Sequence, residues 1–135
     1  MDVFADTWYY VALLDGQDHH HDCAIEYAAM LKQKQVTTRW VLAEVANMLR
    51  ADRVRPTVAS FLQRLHESPL IRVLNGSDAL FERGLALYKR RPDKEWSLTD
   101  CISFVVMEEE GLREALTNDH HFTQAGYVAV FAGAS

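Results

Sequence analysis

Short apolar segments alternating with longer, helix-length stretches place this chain in the α/β class. Segments at residues 3–5, 70–74, 114–116 and 128–131 read as strands, and the stretches 8–14, 22–34, 40–49, 57–66, 78–90 and 98–110 read as helices. Strands separated by helices need crossover connections, which favour a mainly parallel sheet with helices on both faces. Gly (6) and Pro (3) are sparse, and neither a linker-like stretch nor an internal repeat occurs, so 1–135 reads as one domain with short connections.

Taken in order, Val3-Phe4-Ala5 forms an apolar strand, and Asp6-Thr7 follows at its carboxyl end, ahead of the apolar run from Trp8 to Leu14. In the helix over 40–49, a rotation of about 100° per residue puts Val41, Val45 and Met48 at the centre of the buried stripe, with Glu44 at its border. Asn75-Gly76-Ser77 ends the strand over 70–74 and caps the helix that begins at 78. Ser97-Leu98-Thr99-Asp100 has the form of a capping box, and Leu98, Cys101, Ile102, Phe104, Val105, Val106 and Met107 make the helix behind it apolar nearly all round. Glu108-Glu109-Glu110 reads as its solvated end, and Thr117-Asn118-Asp119-His120-His121 as a turn after the strand over 114–116. The longest apolar run, Trp8 to Leu14, is far below the roughly twenty residues of a membrane span, and Met1-Asp2 lacks the basic start of a signal peptide. A soluble, cytoplasmic protein without membrane contact is expected. Cys23 and Cys101 are too few for a disulfide framework and are expected to fill the core in reduced form.

The charge balance, 19 acidic against 14 basic residues for a net −5, argues at first against a nucleic-acid binder working through bulk electrostatics. The placement of the acids matters more. In parallel α/β folds ligands bind outside the carboxyl ends of the strands, and Asp6 stands at one such end, where it reads either as the cap of the next helix or as a ligand. Glu44 borders an apolar face, where an ionised carboxylate is costly unless compensated; a snorkelling surface Glu is the other reading. Asp100 can simply close a first helical turn, and Asp119 can be ordinary turn chemistry. Each acid has a structural explanation alone, but all four could converge on one crevice. Four packed carboxylates repel one another, and Mg²⁺ or Mn²⁺ is the natural compensation because hard cations prefer oxygen ligands. Such ions activate water and stabilise in-line displacement at phosphorus, which points to phosphodiester hydrolysis.

These elements resemble the PIN domain family, small metal-dependent ribonucleases that include the VapC-type toxins of toxin–antitoxin systems. The resemblance rests on Val3-Phe4-Ala5-Asp6-Thr7, on Thr37-Thr38-Arg39-Trp40-Val41-Leu42-Ala43-Glu44-Val45-Ala46-Asn47, on Ser97-Leu98-Thr99-Asp100-Cys101, and on Leu116-Thr117-Asn118-Asp119-His120-His121-Phe122 leading to Ala125-Gly126-Tyr127. It implies a three-layer α/β/α sandwich, catalytic and metal-holding roles for Asp6, Glu44, Asp100 and Asp119, and supporting hydroxyls at Thr7 and Thr99. It also implies a Mg²⁺- or Mn²⁺-dependent endoribonuclease, a homodimer, and a protein antitoxin as partner.

Two basic clusters, one with Arg50, Arg53 and Arg55 and one with Arg83, Lys89, Arg90, Arg91 and Lys94, offer phosphate contacts despite the net charge; Arg50, Arg53, Arg90 and Arg91 are the candidates. The plain alternative is a solvated helix end, where basic residues meet the dipole favourably. His121 is either part of the turn's packing or an RNA contact. His19-His20-His21 and His120-His121 lack the spacing of a zinc site. A PIN-like module that binds RNA or protein without cleavage is the competing function, and loss of one acid would be its mark. A phospho-accepting receiver-like domain is set aside because no lysine follows Lys94.

Overall fold

A computed structural model describes residues 1–134. Its elements are β1 (Val3–Ala5), α1 (Thr7–Leu14), α2 (His21–Met30), β2 (Gln35–Thr38), α3 (Arg39–Met48), α4 (Arg55–Arg64), a 3-10 turn (Leu65–Glu67), β3 (Ile71–Leu74), α5 (Asp78–Arg90), α6 (Leu98–Glu110), β4 (Glu114–Leu116), α7 (His120–Gln124) and β5 (Val128–Ala129). The strands form a parallel sheet in the order β3-β2-β1-β4-β5. Val3, Phe4 and Ala5 are each 0% exposed. Successive strand residues face opposite sides, so both faces of the sheet are covered at its centre, as a three-layer sandwich requires.

From β1 the chain moves outward to β2 and β3 on one side, and β4 and β5 fill the other. Strand order therefore reverses between β1 and β4, where Phe4 pairs with Ala115 and Ala5 with Leu116. A crevice at the carboxyl ends of such a pair is where open α/β sheets take their ligands. Four features converge on it: the β1–α1 junction, α3 directly behind β2, the first turn of α6, and the turn after β4.

Several boundaries differ from those the sequence predicts. β2 is a strand the sequence reading missed, since Gln35-Val36-Thr37-Thr38 carries one aliphatic residue among polar ones. Thr37 and Thr38 are nonetheless fully buried, because Thr37 Oγ1 donates to the Ala5 carbonyl of β1 (2.8 Å) and Thr38 Oγ1 caps α3 by accepting from Val41 N–H (3.2 Å). The helix expected over 22–34 stops at Met30, and the strand expected over 128–131 is only Val128–Ala129. The supposed turn after Asp119 becomes α7, held down by Phe122, whose ring packs 4.9 Å from that of Phe104 and 6.3 Å from that of Phe4. Met48 is 60% exposed; Val41, Leu42, Val45 and Leu49 are the buried residues of this segment. Cys101 is buried as expected but Cys23 is exposed. Two members of the acidic helix end are paired, Glu109 with Arg83 and Glu110 with Arg72.

Candidate metal centre

Asp6 occupies the N-cap position of α1 (φ −96°, ψ 166°), but its side chain makes no cap hydrogen bond. Its Oδ2 accepts the Thr117 hydroxyl at 2.8 Å, a bond across the point where strand order reverses. Asp6 is 5% exposed, and burial pushes its carboxyl up from 3.8 to about 7. Hydrogen bonds from Thr117 and the Thr7 backbone oppose that rise, while the nearby charges of Asp100 and Glu44 add to it. Desolvation dominates because an ionised carboxylate loses most of its hydration there.

Asp100 shows both structural and site-directed behaviour. Ser97 Oγ accepts the Asp100 N–H (3.0 Å) and Asp100 Oδ2 accepts the Ser97 N–H (3.1 Å), the reciprocal pair of a capping box. Burial first and the Asp119 charge second raise its pKa, against the bonds from Ser97 and His121. Asp119 caps α7, its Oδ1 accepting the His121 N–H (2.9 Å), while its own N–H donates to Thr117 Oγ1 (3.1 Å). Glu44 is half-buried on α3.

These four carboxylates line one open cleft of about 310 Å³ together with Thr7, Trp8, Met48 and Asn118. No lysine or arginine is among the lining residues. The side-chain bonds of Asp100 fall on Oδ2 and that of Asp119 on Oδ1, and Thr117 engages Asp6 at Oδ2. Thr7 Oγ1 is buried without a hydrogen-bond partner among the described residues, although buried hydroxyls are normally satisfied. An all-oxygen donor set, an uncompensated cluster of negative charge and an orphaned hydroxyl fit a hard divalent cation such as Mg²⁺ or Mn²⁺.

Other candidates lie elsewhere. Thr99 is half-buried on α6 and does not line the cleft. Arg50 donates to the Asn47 carbonyl (2.9 Å), and Arg53 makes two bonds to Asp15 (2.9 and 3.2 Å). Arg91 pairs with Asp93 and sits 5.2 Å from the Trp96 ring centre, and Arg90 is exposed at the end of α5. None of the four arginines reaches the cleft wall. His121 does lie at the acids, with Nδ1 3.1 Å from Asp100 Oδ2. Asp119, His120 and His121 also bring potential ligand atoms within 4.8 Å of one another.

Sequence reasoning missed Thr117, Trp8, Met48 and Asn118. Thr117 was within reach, being the first residue beyond β4 and two before Asp119. Trp8 and Met48 were hidden because an apolar residue in a helix reads as core.

With these acids assembled where the strand order of a parallel sheet reverses, the chain belongs to the PIN domain family, whose sequence model matches residues 3–126. Over 129 residues, 95% of this chain and 97% of the relative, it is 32% identical to the 23S rRNA-specific endonuclease VapC20 of Mycobacterium tuberculosis. The crystal structure of that VapC20, described as a sarcin-ricin loop cleaving toxin, matches with a TM-score of 0.86 and 26% identity over 95% of this chain and 98% of the other. FitAcB from Neisseria gonorrhoeae shares the fold, with a TM-score of 0.63 at 19% identity, covering 96% of this chain and 95% of the other. The three-layer α/β/α architecture is common to this set.

Proposed function

We propose that this chain is a divalent-metal-dependent endoribonuclease that hydrolyses RNA phosphodiester bonds, and that it is the toxin of a toxin–antitoxin pair. The observation that carries the reading is the cleft itself: four carboxylates from four elements, with no basic side chain on its wall. Membership of the PIN domain family and the likeness to VapC20 support the substrate class and the toxin role. The sarcin-ricin loop of 23S rRNA, named for that relative, is the substrate to try first.

Asp6, Glu44 and Asp100, completed by Asp119, would hold Mg²⁺ or Mn²⁺, with the Thr7 hydroxyl close by. When bound, such an ion supplies polarisation of a phosphoryl oxygen and a water acidic enough to act near neutral pH. The residues do the positioning. Thr117 fixes Asp6 through Oδ2, and the Ser97 capping box fixes Asp100 at the N-terminus of α6. Four clustered carboxylates also repel an RNA phosphate until their charge is compensated, so entry of RNA and of a cation are coupled. In the hydrolysis a water oxygen bonds to phosphorus, the P–O bond to the leaving oxygen breaks, and that oxygen takes up a proton.

The antitoxin is taken to be a protein, the working assembly a homodimer, and the compartment the cytoplasm; among the described residues no helix is long and apolar enough to cross a membrane. A non-cleaving module is disfavoured because none of the four acids is lost. The test is cleavage of an RNA bearing the sarcin-ricin sequence with Mn²⁺ or Mg²⁺ and with chelator. Asp6→Asn, Glu44→Gln and Asp100→Asn should each lower the rate by at least about 10²-fold, the scale expected when electrostatic stabilisation of a transition state is removed. Cleavage by Asp6→Asn at the unmodified rate would overturn the reading.

A further inference from the structure

Three of the four carboxylates are joined by one run of hydrogen bonds, and His121 is the link without which it separates into two pieces. From Asp6 Oδ2 the run passes to Thr117 Oγ1 (2.8 Å) and on to the Asp119 N–H (3.1 Å). Asp119 Oδ1 then accepts the His121 N–H (2.9 Å) and lies 3.4 Å from His121 Nδ1. That Nδ1 is 3.1 Å from Asp100 Oδ2, which also accepts the Ser97 N–H. The other bonds stay within the β4–α7 turn, reach from it to β1, or stay within the first turn of α6. In this run only the imidazole crosses from the turn to α6.

Carboxylates that hold a cation are ionised, accept hydrogen bonds and cannot donate them, so with Asp100 and Asp119 in that state the ring nitrogen 3.1 and 3.4 Å from them is the donor. The His121 side chain is only 18% exposed, and the neighbouring Phe122 is locked under the sheet at 0% exposure. The ring therefore sits on a fixed base, with its donor aimed at the point where two carboxylates approach each other. Like charges so placed repel, and a donor between them offsets part of that cost.

We propose that His121 is a positioning residue: through its Nδ1–H it sets the spacing of Asp100 and Asp119 and presents both to the cation of the nuclease reading, on which this inference rests. This role differs from both readings the sequence offered for His121, turn packing and an RNA contact. Partners that orient metal ligands in this way are typically worth about 10- to 100-fold in metal affinity or activity.

Three substitutions test it. His121→Asn keeps an N–H donor near the place of Nδ1, His121→Gln carries its donor farther out, and His121→Ala has none. Mn²⁺ affinity is measured by calorimetry on the protein alone, and kcat and KM on an RNA oligonucleotide, with circular dichroism and Tm in chelator as the check on folding. His121→Ala and His121→Gln should weaken Mn²⁺ binding by about 10- to 100-fold and lower kcat with KM unchanged, and His121→Asn should recover most of both. In the unmodified protein, ¹⁵N spectra should place the imidazole proton on Nδ1. A raised KM with unchanged Mn²⁺ affinity would mark an RNA contact and overturn the proposal, as would an Asn variant no better than Gln. If the unmodified chain neither binds Mn²⁺ nor cleaves RNA, the nuclease reading fails and this role with it. If it does both and His121→Ala does both equally well, this inference alone fails.

Discussion

Asp6 shows how one side chain can satisfy a local rule by position and a distant one by contact. It stands where a helix cap belongs, yet its carboxylate turns to Thr117 across the sheet. The arrangement has a pH signature in protein freed of metal by chelator. The folded carboxyl is held at about 7 against 3.8 ordinarily, so between those values the folded state keeps a proton that the unfolded chain has lost. The resulting stability is fully present below about pH 4 and is lost as pH rises through 7. Asp100, also raised by burial, acts in the same direction. Urea midpoints in chelator should fall between pH 5 and pH 8, and Asp6→Asn should flatten most of that slope. A midpoint that climbs over the same range would show that Asp6 is compensated within the protein. The apolar chemistry of Trp8 and Met48 gives no sequence signal for their place on the cleft wall.

At the scale of elements, α6 carries Asp100 into the cleft and is held by how closely α5 can approach it. A Cβ built at Gly84 of α5 would lie 2.3 Å from Ile102 Cγ1 and 3.2 Å from Ile102 Cα, and Ile102 is 0% exposed two residues beyond Asp100. Gly84→Ala gains about 1 kcal/mol of helix propensity but overpacks this seam, which typically costs about 1–3 kcal/mol. The expected result is a net loss of stability by urea unfolding together with reduced cleavage, because α6 must shift. Elements with strong local signals were legible in the sequence: the capping box at Ser97, the Ser77 cap and the apolar β1 all stand where the residues indicated. β2 was not, since two of its residues are threonines whose burial depends on partners 32 residues away or in the following helix. The α7 segment was read as a turn because Asn118-Asp119 is good turn chemistry and the anchoring of Phe122 is a tertiary effect. For the same reason all four acids could be picked out singly, whereas the oxygens that Thr117 and His121 engage could not.

For the whole molecule, the net charge of −5 is concentrated in meaning if not in number, because four carboxylates share one wall that holds no basic side chain. A cation bound there by the folded state alone must stabilise it. At a hundred times its dissociation constant, Mn²⁺ should add about 2.7 kcal/mol, or a rise on the order of 10 °C in Tm, while Asp6→Asn combined with Asp100→Asn should respond little. Differential scanning calorimetry with and without Mn²⁺ checks this, and an equal rise in the double variant would place the ion elsewhere. The bond between Thr117 and Asp6 spans 111 positions, and β1 at the start of the chain pairs with β4 near its end. Contacts of such separation form slowly and late. During synthesis, the central strand therefore waits for the 111 positions that separate its paired residues from those of β4 before its second neighbour exists, and no nascent fragment lacking β4 holds the Thr117, Asp119 and His121 side of the cleft. A ribosome making this protein is thus exposed to the finished cleft only after β4 and the turn behind it have left the exit tunnel.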